Sequence, residues 1–128
     1  MKVLCLIATA MAAEVNHILN WYQGLEPKNV IYAVNCGSEE SVTDVNGIVY
    51  QGDKGYSDGK ASLDGYQRKK WIVPNTEVYQ SERWHDDDFS YKVPIDTVKD
   101  HQLTLVLKFS EIYFDYPGQK VFDVKIGD

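Results

Sequence analysis

Cysteine is almost missing from this chain. Of 128 residues only Cys5 and Cys36 carry a thiol, and Cys5 lies in an apolar opening stretch that reads as removable. The mature chain then keeps one thiol, so no internal disulfide is available and the fold has to rest on packing. Cys36 is read as a buried, inert thiol, the alternative being a reactive or intermolecular one. Positive charge is also short: 13 Lys and Arg stand against 19 Asp and Glu, a net charge of -6. Such a surface repels phosphate backbones and anionic lipid heads, which argues against nucleic-acid binding. No window after the opening stretch approaches the ~18 apolar residues of a membrane span. None of Asn16, Asn20, Asn29, Asn35, Asn46 and Asn75 has Ser or Thr two places on, so the N-glycan acceptor pattern is absent. There is no Gly-x-Ser-x-Gly elbow, no phosphate-cradling glycine loop and no His-Glu-x-x-His helix. His17, His85 and His101 stand alone and far apart.

What the chain has in quantity is aromatic side chains: 3 Trp, 9 Tyr and 4 Phe, 12% of the residues, with Tyr in the majority. Tyr joins a flat apolar face to a hydroxyl, a composition that suits sheets and surfaces that grip something flat and polar. Hydrophobic residues at 44% and charged ones at 25% are an ordinary globular balance, enough for one domain and not for two cores. The opening Met1-Lys2 is followed by an apolar run from Val3 to Ala12 with small residues at Ala10 and Ala12. Residues 1–12 are therefore read as a secretory signal peptide, which sends the product to the lumen of the endoplasmic reticulum or out of the cell. A buried first strand or helix is the competing reading.

Residues 13–29 form a lead-in, with one weak helical turn broken by Gly24 and Pro27. From Val30 the period changes to two. Val30–Asn35 and Gly47–Tyr50 are strand-like runs, each ended by turn residues. Gly52 to Gly65 is a polar loop, long enough to be functional or mobile. Further runs follow at Trp71–Val73, Glu77–Ser81 and Phe89–Ile95. In the last, Phe89, Tyr91 and Val93 alternate with Ser90 and Lys92. Leu103–Phe109 is the clearest strand, with Leu103, Leu105, Leu107 and Phe109 on one face and Thr104, Val106 and Lys108 on the other, half buried. Asp115–Gly118 is a turn, and Val121–Ile126 alternates again, with Phe122, Val124 and Ile126 on one side. Many short strands with no helical crossover predict an all-β antiparallel β-sandwich. The Gly127-Asp128 ending suits a hairpin apex, which leaves an open edge and suggests a truncated sandwich.

Carboxylates at Glu77, Glu82, Asp86 to Asp88, Glu111 and Asp115 are numerous, but the sequence gives no separation between any two, and solvated surface charge is their ordinary role. The His85-Asp86-Asp87-Asp88 run and the Asp53, Asp58, Asp64 loop do not alternate oxygen ligands as a calcium loop does, and they read as turn chemistry. No metal and no cofactor is implied. Aromatics beside loops are more informative. A pyranose has C–H faces and a rim of hydroxyls, so its site needs flat rings below and hydrogen-bonding groups at the edge. Tyr66 ends the polar loop, Trp84 follows Ser81-Glu82-Arg83, and Tyr113-Phe114 ends the strongest strand. The pattern alone leaves core and site both open for these rings.

Six blocks resemble the malectin family in order and spacing: Val30–Gly37, Asp44–Tyr50, Tyr79–Trp84, Phe89–Ile95, Leu105–Phe114 and Gln119–Lys125. The resemblance covers about Val30 to Asp128. It implies a jelly-roll-like sandwich of the carbohydrate-binding-module type and a lectin without enzymatic activity. The implied ligands are glucose-glucose units of oligosaccharides or diglucosylated N-glycans, and the implied role is glycoprotein quality control in the endoplasmic reticulum. It assigns sugar contacts to Tyr66, Trp84, Tyr113 and Phe114. At Trp84 the family's tyrosine is replaced by another aromatic, and the loop before Tyr66 differs in length by about a residue. A ligand-binding aspartate late in the family's domain has no counterpart, so residues 30–128 are expected to form a domain incomplete at its C-terminus. Malectin-like domains also occur in receptor ectodomains, so a protein-interaction module that binds no sugar is the alternative.

Overall fold

The computed structural model of the chain describes residues 2–3, 5–10, 26–65, 77–95, 103–111 and 113–127, with the backbone alone for 2–10. Over these residues the chain is all-β. The strands are β1 (Lys2–Val3), β2 (Cys5–Ala10), β3 (Val30–Asn35), β4 (Val42–Thr43), β5 (Val49–Gly52), β6 (Lys60–Ser62), β7 (Glu82–Trp84) and β8 (Leu103–Lys108). Single 3-10 turns lie at Pro27–Asn29 and Glu77–Tyr79. One sheet has the order β4-β5-β3-β2-β8 and the other β1-β7-β6. Pairing is antiparallel throughout, as the strand spacing predicts, apart from β3 and β5. These two run parallel because β4 reverses the chain once and the turn after it reverses it again, bringing β5 back beside β3.

Strand β3 sits inside its sheet and buries both faces, which is why Val30–Val34 reads as an unbroken apolar run. Tyr32, Val34 and Cys36 pack with Phe89 on one side, joined by Tyr91, Val93, Leu105 and Leu107. Ala33 packs with Ile48, Tyr50 and Val78 on the other, joined by Val106. Cys36 is fully buried, as expected for an inert thiol. Its neighbour Gly37 has φ +85°, and a Cβ there would stand 1.9 Å from the Glu82 carbonyl oxygen. Only glycine allows that backbone approach.

Several local expectations change. Lys108, placed by alternation on a half-solvated face, is buried: its ammonium donates to the Tyr50 hydroxyl at 2.7 Å and lies 3.9 Å from Asp44. The Tyr50 hydroxyl donates in turn to Asp44 Oδ2 at 3.1 Å, while Asp44 Oδ1 accepts the amides of Asn46 and Ile48. One carboxylate thus caps the β4–β5 turn and neutralises a buried lysine from β8. Glu77–Tyr79, read as part of a strand, is a 3-10 turn that buries Val78. Phe89–Ile95 keeps its alternation, with Phe89 buried and Ser90 exposed, but forms only an isolated bridge, Tyr56 to Tyr91. Val121–Ile126 is no strand; it has no regular structure. Trp71–Val73 and the lead-in up to residue 25 lie outside the described residues. The apolar run assigned to the leader contributes β2, which pairs with β3 on one side and β8 on the other.

Replacing Lys108 with Met keeps the aliphatic stem but strips Asp44 of its buried cation. Breaking such a pair from one side costs about 3 kcal/mol. Urea unfolding of Lys108→Met is expected to show that loss with an unchanged slope; a midpoint equal to wild type would mean that the contact contributes nothing.

Candidate functional site

The site is organised around β7, and β7 is held in place by one acid. Asp53, at the start of the polar loop, is 3% exposed in its side chain. Its Oδ2 accepts the Gly37 amide and the Arg83 Nε, each at 2.7 Å, and its Oδ1 accepts the Tyr91 hydroxyl at 2.8 Å. Arg83 extends from β7, donates to the Gly59 carbonyl at 2.6 Å and stacks on the Tyr56 ring at 3.4 Å. The guanidinium is pulled down by burial and pushed up by Asp53, and the upward effect prevails, so it remains charged. Burial, then Cys36 and Asp53, raise the Tyr91 phenol far above its ordinary range, so it stays a donor. Paired amides tie the loop to the next segment: Ser57 donates to Ser90 and Lys92 to Gly55. The loop read as functional or mobile is thus pinned at several points.

Because β6 pairs antiparallel with β7, the residues leading toward position 66 run along β7 from Trp84 back to Glu82: Lys60 opposes Trp84 and Ser62 opposes Glu82. Gly65 then lies against the backbone of Gln80, closer than any side chain would permit. Tyr66 itself falls outside the described residues. Trp84 is half-buried, with the Lys60 ammonium 4.9 Å from the centre of its ring.

Tyr113 and Phe114 stand together as an edge-to-face pair, ring centres 4.9 Å apart. Their turn is held by Glu111, whose Oε1 accepts both the Tyr113 amide at 2.7 Å and the Phe114 amide at 3.0 Å. Lys120 links this turn to β7: its ammonium lies 3.3 Å from Glu82, 3.8 Å from Glu111 and 5.2 Å from the centre of the Phe114 ring. Glu82 and Trp84 are two residues apart on a strand and project from one face. The approach to Tyr66, the Trp84 ring and the Tyr113–Phe114 pair are therefore all attached to the same short strand. Beside Phe114 opens a cleft of about 220 Å³ bounded by Phe109, Tyr116, Lys120 and Phe122. Neither Trp84 nor Tyr113 lines it.

Sequence reasoning did not find Lys120, Glu82 or Asp53 as organisers. Their type and spacing are those of any solvated charge; only long-range pairing distinguishes them, Asp53 with Arg83 across thirty positions and Lys120 with Glu82 across thirty-eight. Among the described residues no three His, Cys, Asp or Glu side chains gather as metal ligands would. His85 Nδ1 accepts the Asp87 amide at 2.9 Å, a turn contact.

The Malectin domain family matches residues 30–128. Among curated proteins the chain is 44% identical over 108 residues to Malectin-A of Xenopus laevis, covering 80% of this chain and 37% of that protein. It is 42% identical over 105 residues to mouse Malectin and 40% over 103 to human Malectin, covering 78% of this chain and 34% of the relative in each case. The chain thus spans about a third of the length of the relatives it matches. No solved structure matches it.

The Tyr91 shift gives a pH prediction. The folded phenol titrates above the ordinary value of 10.0, so its stabilisation is complete below pH 10 and is lost as pH rises beyond it. Tyr91→Phe should be less stable by about 1 kcal/mol at neutral pH, the ordinary value of one hydrogen bond. The gap between the two proteins is expected to close in alkali. A gap that stays constant in urea titrations through that range would contradict the assigned contact.

Proposed function

We propose, from the premise that this chain belongs to the malectin family, that it is a carbohydrate-binding module that performs no catalysis. The observation that carries this reading is the attachment of separate aromatic elements to β7, with Lys120, Glu82 and Glu111 supplying a charged, hydrogen-bonding edge beside the rings. Flat apolar faces with polar groups at their rim fit a pyranose, whose C–H faces stack while its hydroxyls bond. In this reading Tyr113, Phe114 and Trp84 supply stacking surface together with Tyr66, and the ligand is a glucose-glucose unit of an oligosaccharide such as a diglucosylated N-glycan. Glu82 and Glu111 share the Lys120 cation, an arrangement that suits fixed positioning of hydroxyls.

Calorimetric titration with maltose or nigerose tests it. Each stacked ring contributes about 0.5 to 1.5 kcal/mol, so Tyr113→Ala should weaken a micromolar or weaker affinity several-fold while leaving the fold intact. Equal heats from the two proteins would remove Tyr113 from the site, and no heat from wild type with either sugar would remove the lectin reading.

Entry into the secretory pathway belongs to the same proposal and rests on the composition of residues 1–12, a basic start and an apolar run with small residues at its end. The intact mass of the chain recovered from secretory cells is expected to lack those residues. Full mass would instead assign Cys5–Ala10 a lasting place as β2.

A further inference from the structure

The turn between β4 and β5 carries a dipeptide that the candidate site does not use, Asn46-Gly47. Of the six asparagines only Asn46 precedes a glycine; His, Trp, Val, Cys and Thr follow Asn16, Asn20, Asn29, Asn35 and Asn75. Asn46 is exposed, and among the described residues its side-chain amide has no hydrogen-bond partner; only its backbone N–H is engaged, donating to Asp44 Oδ1. Asn35, by contrast, is buried, and its side-chain amide donates to the Glu40 carbonyl. Gly47 sits at φ +79°, and a Cβ there would meet only the Pro27 ring, at 3.4 Å. Without a Cβ, nothing on residue 47 hinders its own nitrogen from turning toward the Asn46 side chain. One bond opposes that movement: the Gly47 N–H donates to the Asp44 carbonyl at 2.9 Å. It lies in an exposed turn, where backbone hydrogen bonds open locally.

The chemistry that this pairing permits needs no partner but water. When the Gly47 amide proton passes to hydroxide, the nitrogen attacks Asn46 Cγ. An N–Cγ bond forms, the Cγ–Nδ2 bond breaks, and Nδ2 takes a proton from water and leaves as ammonia. The product is a five-membered succinimide, and water then adds to one of its two carbonyl carbons. Attack at Cγ breaks the new bond and gives aspartate. Attack at the main-chain carbonyl breaks the original peptide bond and leaves the chain running through Cγ, an isoaspartate with one extra backbone carbon.

That carbon falls where the turn tolerates it least. Asp44 Oδ1 accepts the amides of both Asn46 and Ile48, and the Asp44 amide donates to the Ile48 carbonyl at 3.0 Å. These bonds orient the carboxylate whose Oδ2 faces Lys108 and accepts the Tyr50 hydroxyl. A longer chain between residues 46 and 47 moves apart the two amides that share Oδ1, and the buried pair loses its support. We propose that Asn46 is a spontaneous deamidation site, and that its conversion to isoaspartate loosens the turn that fixes Asp44 against Lys108. The process is independent of sugar binding.

The full chain, incubated warm in mildly alkaline buffer and sampled over weeks, provides the test. Peptide mapping by mass spectrometry is expected to show a gain of about 1 Da, confined to the peptide that holds Asn46, and protein isoaspartate methyltransferase should label that peptide. Asp58-Gly59 and Asp64-Gly65 gain no mass by the same route, so the gain reports asparagine alone. Asn46→Gln, which would have to close a six-membered ring, should lose it. No gain in wild type, or a gain that Asn46→Gln retains, would overturn the assignment. Aged protein, separated from fresh by ion exchange, should unfold at a lower urea concentration, displaced toward the midpoint of Lys108→Met. Freshly made Asn46→Asp has the charge without the extra carbon and should match fresh wild type. Equal midpoints for aged and fresh protein, or an equal loss in Asn46→Asp, would overturn the link to Asp44.

Discussion

Everything near the candidate site depends on the carboxylate of Asp53. An anion buried to that degree is tolerable only with its lone pairs satisfied and its charge matched. Here a backbone amide, a guanidinium and a phenol do both. The three donors come from three different places: the end of β3, β7, and the segment after it. The polar loop, which carries little apolar surface to bury, is fixed by these bonds where packing cannot fix it. Strand β7 is only three residues long and would be a weak element alone; Asp53 joins it to the larger sheet. Gly37 completes the joint by letting the Glu82 backbone come close enough for the amide to reach the acid.

From that joint the site follows outward by ordinary strand geometry. Arg83 points one way to Asp53, so Glu82 and Trp84 must point the other. Glu82 meets Lys120, Lys120 meets Glu111, and Glu111 holds the turn that bears Tyr113 and Phe114. The rings are thus placed by polar contacts that are themselves placed by a buried ion pair. Apolar packing forms the sheet, whereas charge arranges what stands on it.

This division explains what could be read from the sequence. The apolar pattern announced β3, β5 and β8 plainly, because a period of two or a solid run of branched residues reflects burial directly. Phe89, Tyr91 and Val93 were legible as inward-facing even where no ladder forms, since burial and not hydrogen bonding sets that alternation. Lys108 was misplaced because a lysine opposite a buried tyrosine and aspartate looks, in one dimension, like any lysine on a wet face. Glu77–Tyr79 was misread because a short apolar run bounded by polar residues fits a 3-10 turn as well as a strand. The candidate aromatic residues were visible by type and by family likeness, but Lys120 and Asp53 were not: the pairings that tie them to β7 span thirty and thirty-eight positions, and nothing local marks them.

The latch between Lys108 and Tyr50 bridges fifty-eight positions. Such wiring makes assembly a late event. During synthesis the first hundred residues leave the ribosome with Asp44 still waiting for its cation. Long-range closures of this kind are slow, and the apolar edge they leave open invites aggregation until they form.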